Sequence, residues 1–342
     1  MERRLIVLQH GSHGHAKDFD LIRRAVDTRS KALGIDVRFV VPDVVAGRGT
    51  DKGLRHCVHT LSPGIVEEVA RFKTALERDG AKGSVSMLGH SFGGLMLRGV
   101  VGNLHSLGYI QADHRRRKEG SVLEWGTFVS VGSPHLGVGL TSTTLKVLAR
   151  TASVLIDSQA YRDLLLQSSS LSNLASDPSV CAGLQAFQKR VAIAAAGDHL
   201  VSPASALIAP VTKRDVRAVS RIGGMPASPD EAWASLVSPK ISRPVDSYGL
   251  PGPIDLAPWV LAAPRFRTHH REQAAFMASQ IRETGAWDSW VAKFPLWAAP
   301  TAHRAVIGKA PYNTPGKVSQ AHVDGVAALL LGQDPTTPPS PP

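Results

Sequence analysis

Short apolar runs alternate along the chain with longer stretches in which apolar residues recur every three or four positions. The short runs have the length of buried strands and are bounded by polar residues or glycine: Leu5–Leu8, Val37–Val41, Val85–Leu88, Trp125–Val131 and Val191–Ala195. The longer stretches, such as Asp18–Leu33 and Ile65–Leu76, have the periodicity of helices. Strands that alternate with helices predict a mostly parallel, doubly wound α/β sheet.

The start of the second helix is predicted from a serine and a proline. Residues 42–60 are expected to form a loop after the second strand. Ser62 and Pro63 follow, and this pair is typical of a helix cap and first turn. The helix that precedes the third strand is therefore expected to begin at Ser62.

The third strand leads into a tight turn and a helix, and the turn reads Gly89-His90-Ser91-Phe92-Gly93. A G-x-S-x-G sequence between a strand and a helix is typical of a nucleophile elbow, which presents a serine at a sharp bend. Side chains in place of the two glycines would collide with the neighbouring chain. Ser91 is therefore the candidate nucleophile, and the alternative is a glycine-rich turn with an incidental serine.

A second loop with glycines follows the first strand and reads His-Gly-Ser-His-Gly-His over residues 10–15. α/β-Hydrolases build the oxyanion hole from one amide after the nucleophile and one from a loop of this kind. We expect the amides of Ser12 and Phe92 in these roles, each worth roughly 10²–10³ in rate. The alternative is a metal site at the three histidines, but no nearby carboxylate or cysteine completes a ligand set.

The acid and the base of a triad are expected after the nucleophile, because α/β-hydrolases follow the chain order Ser, Asp or Glu, His. Asp198 comes just past an apolar strand, where its carboxylate could orient a histidine and stabilise the imidazolium. The alternative for Asp198 is a surface carboxylate in a turn. For the base, the sequence favours His303 over His322 and leaves both open.

Residues 226–300 differ in composition from the rest of the chain, with ten of the 23 prolines and five of the six tryptophans. So many indole rings are expected to pack in an ordered insertion or to meet an interface. We favour an insertion that forms part of an acyl-pocket wall. The leucine-rich residues 140–174 are either cap helices over the site or a core-packing excursion.

Composition narrows the classes of partner. The 342-residue chain has a net charge of +11, but its one tight basic run, residues 115–118, has no nucleic-acid motif beside it, so nucleic acid is not expected. Two cysteines make no disulfide framework, which favours a reducing, cytoplasmic compartment. No run approaches the ~20 apolar residues of a membrane span. The first strand follows Met1 too closely for a signal peptide. Peripheral contact with membranes or lipid droplets fits the positive charge.

Taken in order, these motifs resemble the eukaryotic putative serine esterase family, a group of lipase-like α/β-hydrolases. The similar segments are His10-Gly11, Gly89–Gly94, Gly132–Gly137, Asp198 with Val201, and Thr301–Ile307. The resemblance covers roughly residues 4–210 and, more loosely, 285–331. It implies an α/β-hydrolase fold with cap insertions and a triad of Ser91, Asp198 and His303. The chain departs from the family pattern in the acid loop, at Gln9 and in the insertion.

The resulting prediction is one α/β-hydrolase domain over residues 1–332, with insertions at about 138–180 and 215–290 and a proline-rich disordered tail at 333–342. The expected reaction is hydrolysis of carboxylic esters, with lipid acyl esters as substrates, through an acyl-enzyme on Ser91. No metal or organic cofactor is required. The alternatives are an acyltransferase with the same acyl-enzyme and a non-catalytic lipid- or protein-binding scaffold.

Overall fold

Within the described part of the chain, six parallel strands form one sheet in the order β2-β1-β3-β4-β5-β6. The computed structural model describes residues 2–111, 121–138, 158–195, 198, 200–208, 268–292, 302–309 and 316–333. The strands are β1 (Arg3–Gln9), β2 (Asp36–Val40), β3 (Gly83–His90), β4 (Leu123–Val131), β5 (Lys189–Ala195) and β6 (Asp288–Ala292). Strand order reverses between β1 and β3, and ligands of open α/β sheets bind at the carboxyl ends of strands beside such a switch point.

Helices cover both faces of this sheet. They are α1 (Asp20–Ala32), α2 (Leu54–Arg78), α3 (Phe92–Ser106), α4 (Gln159–Leu164), α5 (Ser170–Ser176), α6 (Pro178–Gln185), α7 (Pro203–Leu207), α8 (Thr268–Glu283), α9 (Ala302–Ala305) and α10 (Gly316–Leu330). Two 3-10 helices, Ala16–Phe19 and Gly47–Lys52, lie in loops that follow β1 and β2. The structure thus confirms the α/β-hydrolase type of fold with a doubly wound parallel sheet.

The apolar runs of the strands are explained by burial on both faces. In β1, Leu5 and Val7 join the core under α2 and α3, whereas Ile6 and Leu8 join the core under α1 and α10. Successive strand residues point to opposite faces, so a strand covered on both sides needs apolar residues throughout. The same arrangement makes β3 buried along its whole length and fixes the position of the turn that follows it.

The predicted start of the second helix is wrong. α2 begins at Leu54, so residues 54–60 are helical and Pro63 lies inside the helix. Residues of one face are buried at spacings of three and four, namely Leu54, Cys57, Leu61, Ile65, Val69, Phe72 and Leu76. Pro63 removes one backbone donor, and Ser62 Oγ donates to the Val58 carbonyl at 2.7 Å. The continuous apolar face outweighs the cost of one proline.

Parts of the two predicted insertions are described, and several of their side chains are buried in the core. Leu164 of α4 and Leu171 of α5 are buried in the same cluster as α3, which favours the core-packing interpretation for residues 158–174. Trp287 and Trp290 are buried as well. Residues 139–157 and 209–267, with Trp233 and Trp259, lie outside the described residues, as do Trp297, the basic run 115–118 and the tail beyond residue 333. Within the described ranges, no helix has both the length and the apolar character needed to span a bilayer.

Candidate active site

Ser91 lies at a strained bend between β3 and α3. Its backbone has φ 53° and ψ −125°, a combination that L-residues rarely adopt. The chain holds it there from both sides: Ser91 N–H donates to the Val131 carbonyl at 2.8 Å, and Gly94 N–H donates to the Ser91 carbonyl at 3.1 Å. Such strain persists where surrounding structure enforces it, and it is common at active sites.

The glycines of the turn are required by close backbone contacts. A Cβ at Gly89 would overlap the backbone of Gly94, and one at Gly93 would overlap the carbonyl of Gln9. Close packing of β3 against α3 therefore needs Gly89, and contact between α3 and the end of β1 needs Gly93. These contacts bring the Ser91 turn directly beside the loop after β1.

Asp198 and His303 form a buried pair. Asp198 Oδ2 accepts from His303 Nδ1 at 2.6 Å, and the two side chains are 2% and 9% exposed. Asp198 Oδ1 accepts the backbone N–H groups of Leu200 at 2.8 Å and Val201 at 3.0 Å. The carboxylate is thus fixed by its own loop, and its bond to Nδ1 leaves His303 Nε2 as the nitrogen that can accept a proton.

The pair lies at the same end of the sheet as Ser91. A Cβ on Gly132, the residue after β4, would lie 3.3 Å from His303 Nδ1 and 3.8 Å from Asp198 Oδ2. Gly132 adjoins Val131, whose carbonyl accepts the Ser91 N–H. Among the described residues, the partly exposed Ser91 hydroxyl makes no hydrogen bond to His303. Catalytic hydrogen bonds of free enzymes are often long and shorten only when substrate binds.

His90 joins the elbow to the segment that contains His303. Its Nε2–H donates to the backbone carbonyl of His303 at 2.7 Å, and the two imidazole rings are 4.9 Å apart between centroids. Burial, with repulsion from His303, lowers the pKa of His90 from 6.5 to about 3. His90 is therefore neutral at physiological pH and fixes its neighbour without adding positive charge.

The two predicted oxyanion donors flank Ser91. Phe92 is the first residue of α3, and first-turn N–H groups of a helix have no acceptor within the helix. On the other side, a Cβ on Gly11 would lie 2.7 Å from Ser91 Cβ and 3.3 Å from Ser91 Oγ, and Ser12 follows it. The structure thus brings together Ser12, Ser91 and Phe92 on one side and Asp198 with His303 on the other.

A comparison with family models gives a match over residues 1–209 to the family described as Putative serine esterase (DUF676). The chain belongs to the putative serine esterase family. This match contains the elbow, the loop after β1 and Asp198, and it supports an esterase-type hydrolase. A search of curated proteins found no match.

Solved structures similar to this protein include bacterial hydrolases at low identity. An extracellular α/β-hydrolase from a Paenibacillus species is 13% identical, with 59% of this chain and 82% of that chain covered and a TM-score of 0.33. The mature lipase BlEst2 of Bacillus licheniformis is 16% identical, with 59% and 78% covered and a TM-score of 0.34. The phospholipase PlaB of Legionella pneumophila is 14% identical, with 59% and 45% covered and a TM-score of 0.35.

Two further histidines of the protein, His135 and His322, are buried. His135 is buried, its Nε2 lies 2.9 Å from Ser130 Oγ, and Arg98 donates to its Nδ1 at 3.4 Å. Burial lowers the pKa of His135 well below 6.5, so it stays neutral. His322 is buried on α10. Of the two histidines considered as the base, His303 is the one paired with Asp198.

Two of the three histidines in the loop after β1, His10 and His13, contact different partners. His10 is buried, and its Nδ1 lies 3.0 Å from the Gly11 carbonyl. His13 Nε2 lies 2.8 Å from Asp51 Oδ1. In the ranges that the structure describes, no three potential metal ligands come together. The contacts of His13 and His90 were not anticipated from the sequence, because their partners Asp51 and His303 are far away along the chain.

Proposed function

We propose that this protein is a serine hydrolase that cleaves carboxylic esters through an acyl-enzyme on Ser91. The observation on which the proposal depends is the Asp198–His303 pair at 2.6 Å, placed at the sheet edge where the strained elbow presents Ser91. Asp198 holds the tautomer in which Nε2 of His303 accepts a proton. An esterase-type activity agrees with the family match.

In the proposed reaction, His303 Nε2 takes the Ser91 hydroxyl proton while Ser91 Oγ attacks the acyl carbonyl. The amides of Ser12 and Phe92 stabilise the oxyanion of the tetrahedral intermediate. Collapse expels the alcohol, which receives the proton from His303. Water, activated by the same histidine, then attacks the acyl-enzyme and releases the carboxylic acid with Ser91 restored.

Lipid acyl esters are the proposed substrate class. Two exposed apolar side chains, Val44 at 66% and Leu200 at 38%, lie in loops that follow the carboxyl ends of β2 and β5. This is the edge of the sheet at which Ser91 lies, so apolar surface borders the proposed entrance. The proposed setting is the cytoplasm, with peripheral contact with a lipid surface.

The test is hydrolysis of p-nitrophenyl esters by variants of the folded protein. Ser91→Ala is expected to lower kcat/KM by at least roughly 10⁴-fold, because the acyl-enzyme cannot form. Ser30→Ala removes a buried hydroxyl that donates to the Asp27 carbonyl on α1, and serves as the matched control with full activity. Wild-type activity in Ser91→Ala would refute the proposal.

The same assay decides the base. His303→Ala is expected to reduce kcat by roughly 10³-fold or more, whereas His322→Ala, if folded, keeps most of the activity. The reverse result would transfer the role of base to His322. Full activity of both variants would contradict a mechanism in which either histidine is the base.

A further inference from the structure

Residues 11–16, which follow β1, are called the oxyanion loop. This loop packs so closely on Ser91 that a small movement would affect the proposed reaction. A Cβ on Gly11 would already be 3.3 Å from Ser91 Oγ. The Ser12 amide, one residue further on, is the proposed donor to the oxyanion. Because donors are effective only at about 2.7–3.1 Å from the oxyanion, a small displacement of this loop removes most of the donor's effect.

The residue after Ser12 has a left-handed backbone. His13 has φ 54°, in a region that favours glycine and is unfavourable for a residue with a Cβ. A non-glycine residue stays in this region only where its surroundings enforce it. The direction of the chain just after the Ser12 amide therefore depends on what holds His13.

The 3-10 helix Gly47–Lys52 holds it. The Thr50 hydroxyl accepts the His13 N–H at 3.0 Å and donates to the Gly47 carbonyl at 2.9 Å, and Thr50 is fully buried. Asp51 Oδ1 lies 2.8 Å from His13 Nε2 and accepts from Ser158 Oγ at 3.1 Å.

A backbone bond completes this contact. Gly47 N–H donates to the Gly14 carbonyl at 3.0 Å. The 3-10 helix therefore bonds both the His13 N–H and the Gly14 carbonyl of the oxyanion loop. The His13–Asp51 pair is partly exposed and is the weaker of the two side-chain constraints. The buried Thr50 hydroxyl is the main constraint, because replacing it with a methyl group leaves the His13 N–H without its acceptor.

We infer that Thr50 and Asp51 are positioning residues for ester hydrolysis: they hold His13 left-handed and thereby aim the Ser12 amide at the oxyanion of the transition state. This inference rests on the proposed function. Neither side chain touches the substrate. Since the oxyanion exists only in the transition state and the tetrahedral intermediate, loss of the constraint lowers kcat and leaves KM nearly unchanged.

The chain offers a matched control for this test. Thr284 is also buried, its hydroxyl donates to the carbonyl three residues earlier at 2.6 Å, and it accepts the indole N–H of Trp287 at 3.1 Å. Thr50 has the same pattern toward Gly47 and His13. Thr284→Val therefore removes an equivalent hydroxyl away from the oxyanion loop. It shows how much the loss of such a buried hydroxyl affects folding by itself.

Thr50→Val is expected to lower kcat on p-nitrophenyl esters about 10- to 100-fold, with KM within about twofold of wild type. Thr50→Ser restores the hydroxyl and is expected to stay within about threefold of wild-type kcat. Affinity for a trifluoromethyl ketone, whose carbonyl carbon bonds to Ser91 Oγ and whose ketone oxygen becomes the oxyanion, falls in parallel with kcat/KM in Thr50→Val. Thr284→Val keeps wild-type kcat per folded molecule.

Asp51→Asn tests the second contact and decides the matter if Thr50→Val does not fold. It is expected to lower kcat about three- to tenfold with KM unchanged. Wild-type kcat in Thr50→Val or, failing that variant, in Asp51→Asn would overturn the inference, as would an equal loss in Thr284→Val or a rise in KM alone. Wild-type protein without hydrolysis and without fluorophosphonate labelling would instead refute the proposed function itself, and the inference with it.

Discussion

At the scale of single residues, His90 connects two parts of the site that are 213 positions apart in the chain. The residue before the proposed nucleophile donates to the backbone of His303 and packs its ring, tilted by 46°, beside that imidazole. His303 belongs to the four-residue helix α9, which is too short to be stable by itself. The bond from His90 is therefore part of what fixes the proposed base relative to Ser91.

Replacing His90 tests this connection. His90→Met removes the donor and is expected to lower kcat/KM about five- to tenfold, the equivalent of a net hydrogen bond of ~1 kcal/mol. His90→Gln places an amide N–H near the position of Nε2 and is expected to recover most of the loss. The measurement is ester hydrolysis at pH 8, with the folded fraction determined by circular dichroism.

Equal activity of the His90→Met and His90→Gln proteins would contradict a role for the bond. Equal losses in both would indicate that the ring, and not its N–H, matters to His303.

The nucleophile, the acid and both histidines considered as the base could be proposed from the sequence because each lies in a local pattern. Ser91 is in a strand–turn–helix motif, and Asp198 comes just past a buried strand. The sequence could not choose firmly between His303 and His322. That choice depends on which of two C-terminal segments reaches the Asp198 loop, and no local pattern contains this information.

At the scale of elements, exposed apolar side chains lie both at the carboxyl ends of the strands and at the opposite edge of the sheet. Val44 follows β2 at the edge where Ser91 lies. Leu107 follows the last residue of α3, a helix that begins just after Ser91 and runs back toward the other edge. The two side chains are 66% and 61% exposed, so they form a matched pair.

Val44→Asp is expected to lower hydrolysis of an emulsified glycerolipid several-fold, because a charge is placed on the apolar border of the proposed entrance. Activity on a soluble short-chain ester stays within twofold of wild type. Leu107→Asp leaves both activities unchanged. A loss of the same size in both variants, or in neither, would argue against lipid contact at the Ser91 edge.

The elements themselves were predictable to different degrees. The buried strands were anticipated because burial on both faces gives uninterrupted apolar runs. The start of α2 was missed because Ser62-Pro63 has the composition of a helix start, whereas the apolar face from Leu54 to Leu76 determines the helix. The role of the 3-10 helix Gly47–Lys52 had no signal, since its polar residues act through tertiary contacts.

At the scale of the whole molecule, buried neutral histidines make stability depend on pH. Burial lowers the pKa of His90 to about 3 and the pKa of His135 well below 6.5, and burial also lowers the pKa of His10. Below about pH 6.5 these histidines therefore bind protons in the unfolded chain but stay neutral in the folded chain. As the pH decreases through this range, the free energy of unfolding decreases by up to about 1.4 kcal/mol per pH unit for each fully buried histidine.

Urea unfolding between pH 7.5 and 4.5 measures this slope. Stability is expected to be nearly constant above pH 7 and to fall steadily below pH 6.5. His135→Leu removes one of the buried groups, so its slope is expected to be smaller by about one proton. A wild-type free energy of unfolding that does not change from pH 7 to pH 4.5 would contradict the neutral, buried state of these histidines.

The central claim is that Ser91 is the nucleophile activated by His303 and Asp198. It is tested most directly by reaction of the folded protein with a fluorophosphonate, followed by mass spectrometry of its peptides. The account predicts one stoichiometric adduct on Ser91, slowed at least roughly 10²-fold in His303→Ala and Asp198→Asn. An active esterase that is modified on another residue, or not at all, would contradict it.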